Sequence, residues 1–164
     1  MPDLGKFFAA TGPVTGAVGA QNLLSIENPN GSGVNVFIYK IRAHGMVTAV
    51  SVGNVEYRLS RTTALPSGGT ILTPMKRIGA DTAVGVVRSG PTATSTTNYG
   101  KRIAAGLLTT AAGAFIPSLG EMFEAWEQQY ALRLAPNNAI LVDVSANLVT
   151  WSHYVEIEWG EDTQ

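Results

Sequence analysis

Val149, Trp151, His153, Val155, Ile157 and Trp159 take every second position near the C-terminus, and Thr150, Ser152, Tyr154, Glu156 and Glu158 fill the places between them. Successive side chains of a strand point to opposite faces, so this alternation predicts a strand over Val149–Trp159 with one buried and one wet face. Just upstream, Ala139–Val144 reads as a second strand, entered from the turn Pro136-Asn137-Asn138. The link Ser145-Ala146-Asn147-Leu148 is short enough for a hairpin, which predicts that the two strands pair antiparallel.

Earlier segments repeat the theme at close spacing. Asn22–Glu27 is a brief strand that stops at Asn28-Pro29-Asn30-Gly31-Ser32-Gly33, where Pro and Gly impose turn geometry. In Val34–Ala43 the residues Asn35, Phe37, Tyr39 and Ile41 alternate against Val34, Val36 and Ile38, so both faces are largely apolar and the strand is expected to be central. Across Ala49–Ser60 the apolar phase moves from Val50 and Val52 to Val55, Tyr57 and Leu59, and the step at Gly53-Asn54 predicts a β-bulge. Thr70–Leu72, Val84–Arg88, Arg102–Thr109 and Gln129–Leu134 are further strand candidates, separated by Leu65–Gly69 and the polar loop Ser89–Asn98. Ser118 and Glu121 have capping-box spacing ahead of Phe123 and Trp126, which predicts a short helical turn near 119–125 feeding a strand. About eight or nine short strands with at most one helical turn give an all-β fold, an antiparallel β-sandwich that is most economically jelly-roll-like.

A chain of 164 residues is long enough for one well-buried domain. Only 14% of it is charged, against roughly a quarter in an average soluble domain. The surface is therefore left to Thr, Ser, Gly, Asn and apolar groups, a composition suited to contact with other proteins. A net charge of −1 argues against a nucleic-acid partner, and the absence of cysteine excludes disulfides and thiolate metal sites. Phe7–Ile26 and Ile103–Gly120 carry no charge, but Gly, Thr and Pro interrupt both, so neither is expected to span a membrane. The same breaks, with Asp3 where a basic residue belongs, make Phe7–Ile26 a poor signal peptide. Residues 1–20 read instead as an extended Gly/Ala/Thr-rich arm, and 21–164 as the β-sandwich domain.

Few residues carry chemistry. His153 lies on the apolar face of the last strand and reads as a hydrogen-bonded imidazole of the core or of an interface; His44, before Gly45, reads as a turn residue at a strand end. No histidine pair has metal-ligand spacing, the Gly-rich turns lack a following helix for phosphate, and no serine sits in a nucleophile motif. Neither a catalytic site nor a cofactor or metal is therefore expected. Glu156, Glu158, Glu161 and Asp162 read as a solvated acidic terminus, and Arg58, Arg61 and the pairs Lys76-Arg77 and Lys101-Arg102 as solvated flanks. Trp126, Trp151, Trp159, Tyr39, Tyr57, Tyr99 and Tyr154 are candidates for a sugar-binding groove, for the core, or for a subunit interface. The contact residues singled out are Phe7 and Phe8 in the arm, Tyr39 in the wide apolar strand, and Tyr154 and Trp159 in the last one.

The run Glu27-Asn28-Pro29-Asn30-Gly31-Ser32-Gly33-Val34 leading into a strand, the segment Leu132–Val142 and the closing strand Trp151–Trp159 together resemble small β-sandwich proteins of tailed-bacteriophage virions. The likeness covers about residues 21–159 and is to the capsid cement or decoration class. Where that class often has Gly before the penultimate strand, this chain has Asn137-Asn138, which also tolerate left-handed backbone. The resemblance implies a homotrimer on the capsid exterior, made in the host cytoplasm, that binds the major capsid protein and locks its neighbouring subunits. The alternative reading is a tail-associated receptor- or carbohydrate-binding module.

Overall fold

The structure is a computed structural model, and it describes residues 7–47, 53–76, 82–107, 121–147 and 151–163. The strands are β1 (Phe7–Ala10), β2 (Val14–Thr15), β3 (Gly19–Asn28), β4 (Val34–Val47), β5 (Gly53–Thr62), β6 (Thr70–Leu72) and β7 (Met75–Lys76). They continue with β8 (Val86–Ser89), β9 (Ser95–Leu107), β10 (Glu121–Glu124), β11 (Leu132–Leu134), β12 (Asn138–Asn147) and β13 (Trp151–Thr163). A front sheet runs β10–β4–β13–β1–β7, with β11 also on β4 and β2 also on β13; a back sheet runs β6–β8–β3–β12–β5–β9. Pairing is nested: β1 with β13, β3 with β12, β4 with β10 and β11, and β5 with β9. Stripped of β2, β6, β7 and β8, this is the strand order of a jelly roll.

The last two long strands do not form the expected hairpin. β12 pairs with β3 and β5 in the back sheet, and β13 pairs with β4 and β1 in the front sheet. Their apolar rows, Ile140, Val142 and Val144 on one and Trp151, Val155, Ile157 and Trp159 on the other, meet in one core between the sheets. A short link serves either geometry, and burying both rows favours the facing one.

Residues 7–15 are part of the sandwich and not an arm outside it. Phe7 and Ala9 are buried in the core, and the Phe7 ring lies 5.6 Å from that of Trp159, centroid to centroid. Thr11 adds two hydrogen bonds to Val155, through its backbone N–H to the carbonyl at 2.9 Å and through its hydroxyl, which accepts from the Val155 N–H at 3.0 Å.

β4 is central, as expected, but its two apolar rows are one row with a phase step. Trp159 pairs with Ile38 and Glu158 with Lys40, so Tyr39 is an extra residue that moves the core-facing positions from Val36 and Ile38 to Ile41 and Ala43. The bulge expected at Gly53-Asn54 is absent, since both keep register with Leu107 and Gly106 on β9; Val50 and Val52 lie outside the described residues. The strand slips instead beyond Arg58, where Ser60 pairs with Asn98. The helical turn expected near 119–125 is also displaced. Glu121–Glu124 is strand, because Met122 is buried and the segment pairs with β4, and a single 3-10 turn follows at Gln128–Tyr130. Asn137 has a φ of 65°, a left-handed backbone that asparagine tolerates.

Between β5 and β9 the chain leaves one side of the back sheet, builds β6 and β8 at its other side and β7 on the edge of the front sheet, and returns. The outgoing stretch 63–69 and the returning stretch 90–94 run together, joined by backbone bonds between Ser67 and Thr92 at 3.0 and 2.7 Å and from Thr63 N–H to the Thr94 carbonyl at 2.9 Å. The Asn22 amide donates to the carbonyls of Pro91 and Ala93, both at 3.1 Å, and Arg88 bridges Glu27 to the Gly68 carbonyl. This double strap closes over the outer side of the back sheet. Ser25, Ser60, Ala139 and Leu141 point away from the core in register yet are buried.

Candidate functional site

Among the described residues no such strap crosses the outer side of the front sheet, where residues register in cross-strand rows. Glu124 on β10, Lys40 on β4, Glu158 on β13 and Phe8 on β1 stand side by side; the next row is Glu121, Arg42, Glu156 and Ala10; beyond it His44 faces Tyr154. Lys40 thus stands between Glu124 and Glu158, and Arg42 stands beside Glu156. Lys40 is bonded to Glu124, and the Arg42 guanidinium lies 3.8 Å from the Glu156 carboxylate. The Lys40–Glu124 pair is mostly buried and the Arg42–Glu156 pair largely exposed, where such a contact adds at most about 1 kcal/mol; both hold long side chains in fixed positions.

The first row ends in a cleft of about 340 Å³ lined by Tyr39, Lys40, Arg42, Glu124, Ala125, Trp126 and Glu158. Two features of the chain build it. The bulge at Tyr39 steps the strand, and the Tyr39 carbonyl accepts a 2.7 Å bond from the Ala125 N–H, which fixes the end of β10. Ala125 is buried, and the bend after it turns Trp126 outward, 78% exposed, with Tyr130 following at 68% on the 3-10 turn. Burial first, and Asp162 second, raise the Tyr39 phenol above its ordinary pKa, so it stays protonated at neutral pH.

No family model, curated protein or solved structure matches the chain. Of the five expected contact residues, Phe7 and Trp159 are core and Tyr39 is buried at the cleft floor. Phe8 and Tyr154 remain partly exposed on the open face. Trp151 and Tyr57 are also core, which leaves Trp126 as the exposed tryptophan; the side chain of Tyr99 lies outside the described residues.

His153 is a buried, hydrogen-bonded imidazole, with Nδ1 2.8 Å from the Tyr57 hydroxyl, and burial lowers its pKa to about 4. The Tyr57 hydroxyl also lies 3.2 Å from the His44 carbonyl, so an Nδ1–H donating to Tyr57 and Tyr57 donating to the carbonyl uses each proton once. His44 is not a turn residue, because β4 continues to Val47 and pairs it with Tyr154. Nor is the acidic terminus uniformly solvated. The Glu161 carboxylate accepts from the N–H groups of Val84 and Gly85 and from the Trp159 indole at 2.8–3.0 Å, and so pins the segment before β8. Arg58 forms a two-point pair with Asp143, at 3.2 and 2.5 Å.

Lys40, Arg42 and Glu124 were not singled out from the sequence. A signal was present: Lys40 and Arg42 are two apart on one strand, as are Glu156 and Glu158 on another, and matched period-two charges mark facing rows. Among the described residues, no group of three or more His, Asp or Glu side chains converges as a metal site would require. No helix among them is long and apolar enough to cross a membrane.

Proposed function

We propose that this chain is a structural protein of a bacteriophage virion, a decoration protein that sits on the outside of the capsid and ties major-capsid subunits together. The observation that carries the reading is the asymmetry of the jelly roll. One sheet is closed over by the chain's own strap, while among the described residues nothing crosses the other, whose partly exposed side chains are fit to meet a second protein. Fold alone does not name a function, and the virion and capsid parts of the proposal rest on the resemblance of the turn and strand segments. Phe8 and Tyr154, the partly exposed members of the expected contact set, belong to the attachment face in this reading.

Electron cryo-microscopy of purified particles tests it. Density for the jelly roll repeated across the capsid lattice is the expected result, and Phe8→Ala with Tyr154→Ala should lower its occupancy. Density confined to the tail would replace the decoration reading with that of a tail module.

A further inference from the structure

We propose that the cleft beside Trp126 binds a saccharide, specifically a neutral pyranose. The inference stands on the cleft and does not depend on the virion reading. A pyranose has an apolar C–H face and a rim of hydroxyls, and it is held by an aromatic ring against the first and planar or charged groups against the second. Trp126 supplies the ring. Its 78% exposure sets it apart from Trp151 and Trp159, which are wholly buried, and it stands at the rim of a concavity of about 340 Å³, within the size range of small-ligand sites. A single exposed aromatic is ordinary on a protein surface; one at the mouth of a polar cleft is placed to stack on a ligand.

The walls supply the polar groups. Lys40, Arg42, Glu124 and Glu158 project from three neighbouring strands of one sheet, and the Lys40–Glu124 pair holds two of them in place before any ligand arrives. Groups fixed on strands lose less freedom on binding than groups on loops. Charge narrows the class. The two cations and two carboxylates of the lining cancel, and Glu156 beside Arg42 tips the surroundings negative. A uronic acid or sugar phosphate would meet no net positive field there, whereas hydroxyls of a neutral sugar find both donors and acceptors.

The test uses the purified full chain with the methyl glycosides of glucose, galactose, mannose and N-acetylglucosamine, and with glucuronic acid and glucose 6-phosphate as charged probes. Tryptophan emission and saturation-transfer NMR are the readouts, since Trp126 is the indole that solvent and ligand reach. At least one neutral glycoside should bind with a Kd of about 1 mM and shift the emission. Trp126→Ala should weaken that binding tenfold or more, and Glu158→Gln several-fold, with the near-ultraviolet dichroism of the buried tryptophans unchanged. The proposal falls if no neutral probe binds at about 50 mM, if the charged probes bind more tightly, or if Trp126→Ala binds as well as the wild type. Occupancy on particles is scored separately: lost occupancy of Trp126→Ala without sugar binding would make this corner a protein contact and overturn the saccharide site alone.

Discussion

His153 and Gly45 show how closely single residues are constrained in this core. His153 has a pKa of about 4 when folded and about 6.5 when unfolded, so between those values the unfolded chain binds more protons. Its neutral form contributes stability that is complete above pH 6.5 and is lost as pH falls toward 4, up to about 3 kcal/mol in all. Urea midpoints measured from pH 7 to pH 4 should drop more steeply in the wild type than in His153→Gln; parallel profiles would show that another group sets the slope. Gly45 is constrained by space. A Cβ there would lie 2.6 Å from Cζ3 of Trp151 and 3.2 Å from the Tyr57 hydroxyl, both in the packed centre. Gly45→Ala should therefore cost about 1–3 kcal/mol as the indole is pushed aside, visible as a lower thermal midpoint. The sequence marked His153 as a hydrogen-bonded imidazole of the core or an interface, since a polar residue in an apolar strand row has few other places to go, and its burial decides for the core. It could not show the role of Gly45, which depends on a ring brought from β13.

Elements were more legible than their partners. The alternation at Trp151–Trp159 predicted β13 because a strand's two faces differ in solvent exposure, and that difference is written locally. Whether β12 lies beside β13 or opposite it is decided by the apolar rows of β3, β4 and β5 competing for the same partners, which no local window contains. The bulge at Tyr39 shows the same limit, since one row that steps between faces reads as two apolar rows. The first fifteen residues were hidden by composition. Gly, Ala and Thr give little apolar signal, yet Phe7 and Ala9 complete the core against Trp159. Removing residues 1–15 should consequently destabilise the fold, and Phe7→Ala alone should cost about 3–5 kcal/mol by denaturant unfolding. A truncated chain as stable as the full one would restore the picture of a separate arm. The strap has its own test. Asn22→Ala removes both amide bonds to 90–94, and amide exchange at Thr92 and Ser67 should quicken while β12 and β13 stay protected.

At the scale of the molecule, the two ends of the front sheet differ. Trp126 and Tyr130 mark one end, Met75 on β7 marks the other, and Ile71 on β6 stands at an edge of the back sheet; Ile71 and Met75 are 61% and 62% exposed on strands of three and two residues. Short outer strands bearing large apolar side chains are positions where a second chain gains by covering them, and closed rotation limits such contacts to a finite ring. A trimer of the kind the resemblance implies would be best served by this edge, because Tyr39 and Trp159, first expected at the interface, are already buried within one chain. In a three-fold ring every interface repeats the same two surfaces, so a charge on one of them breaks all the contacts together. Light scattering of the wild type at micromolar concentration should give three times 17.3 kDa, and Met75→Glu or Ile71→Glu should give the monomer mass with the fold intact. A wild-type dimer would exclude the three-fold ring. A trimer that survives both substitutions would move the interface away from the β6–β7 edge and leave Ile71 and Met75 for another partner.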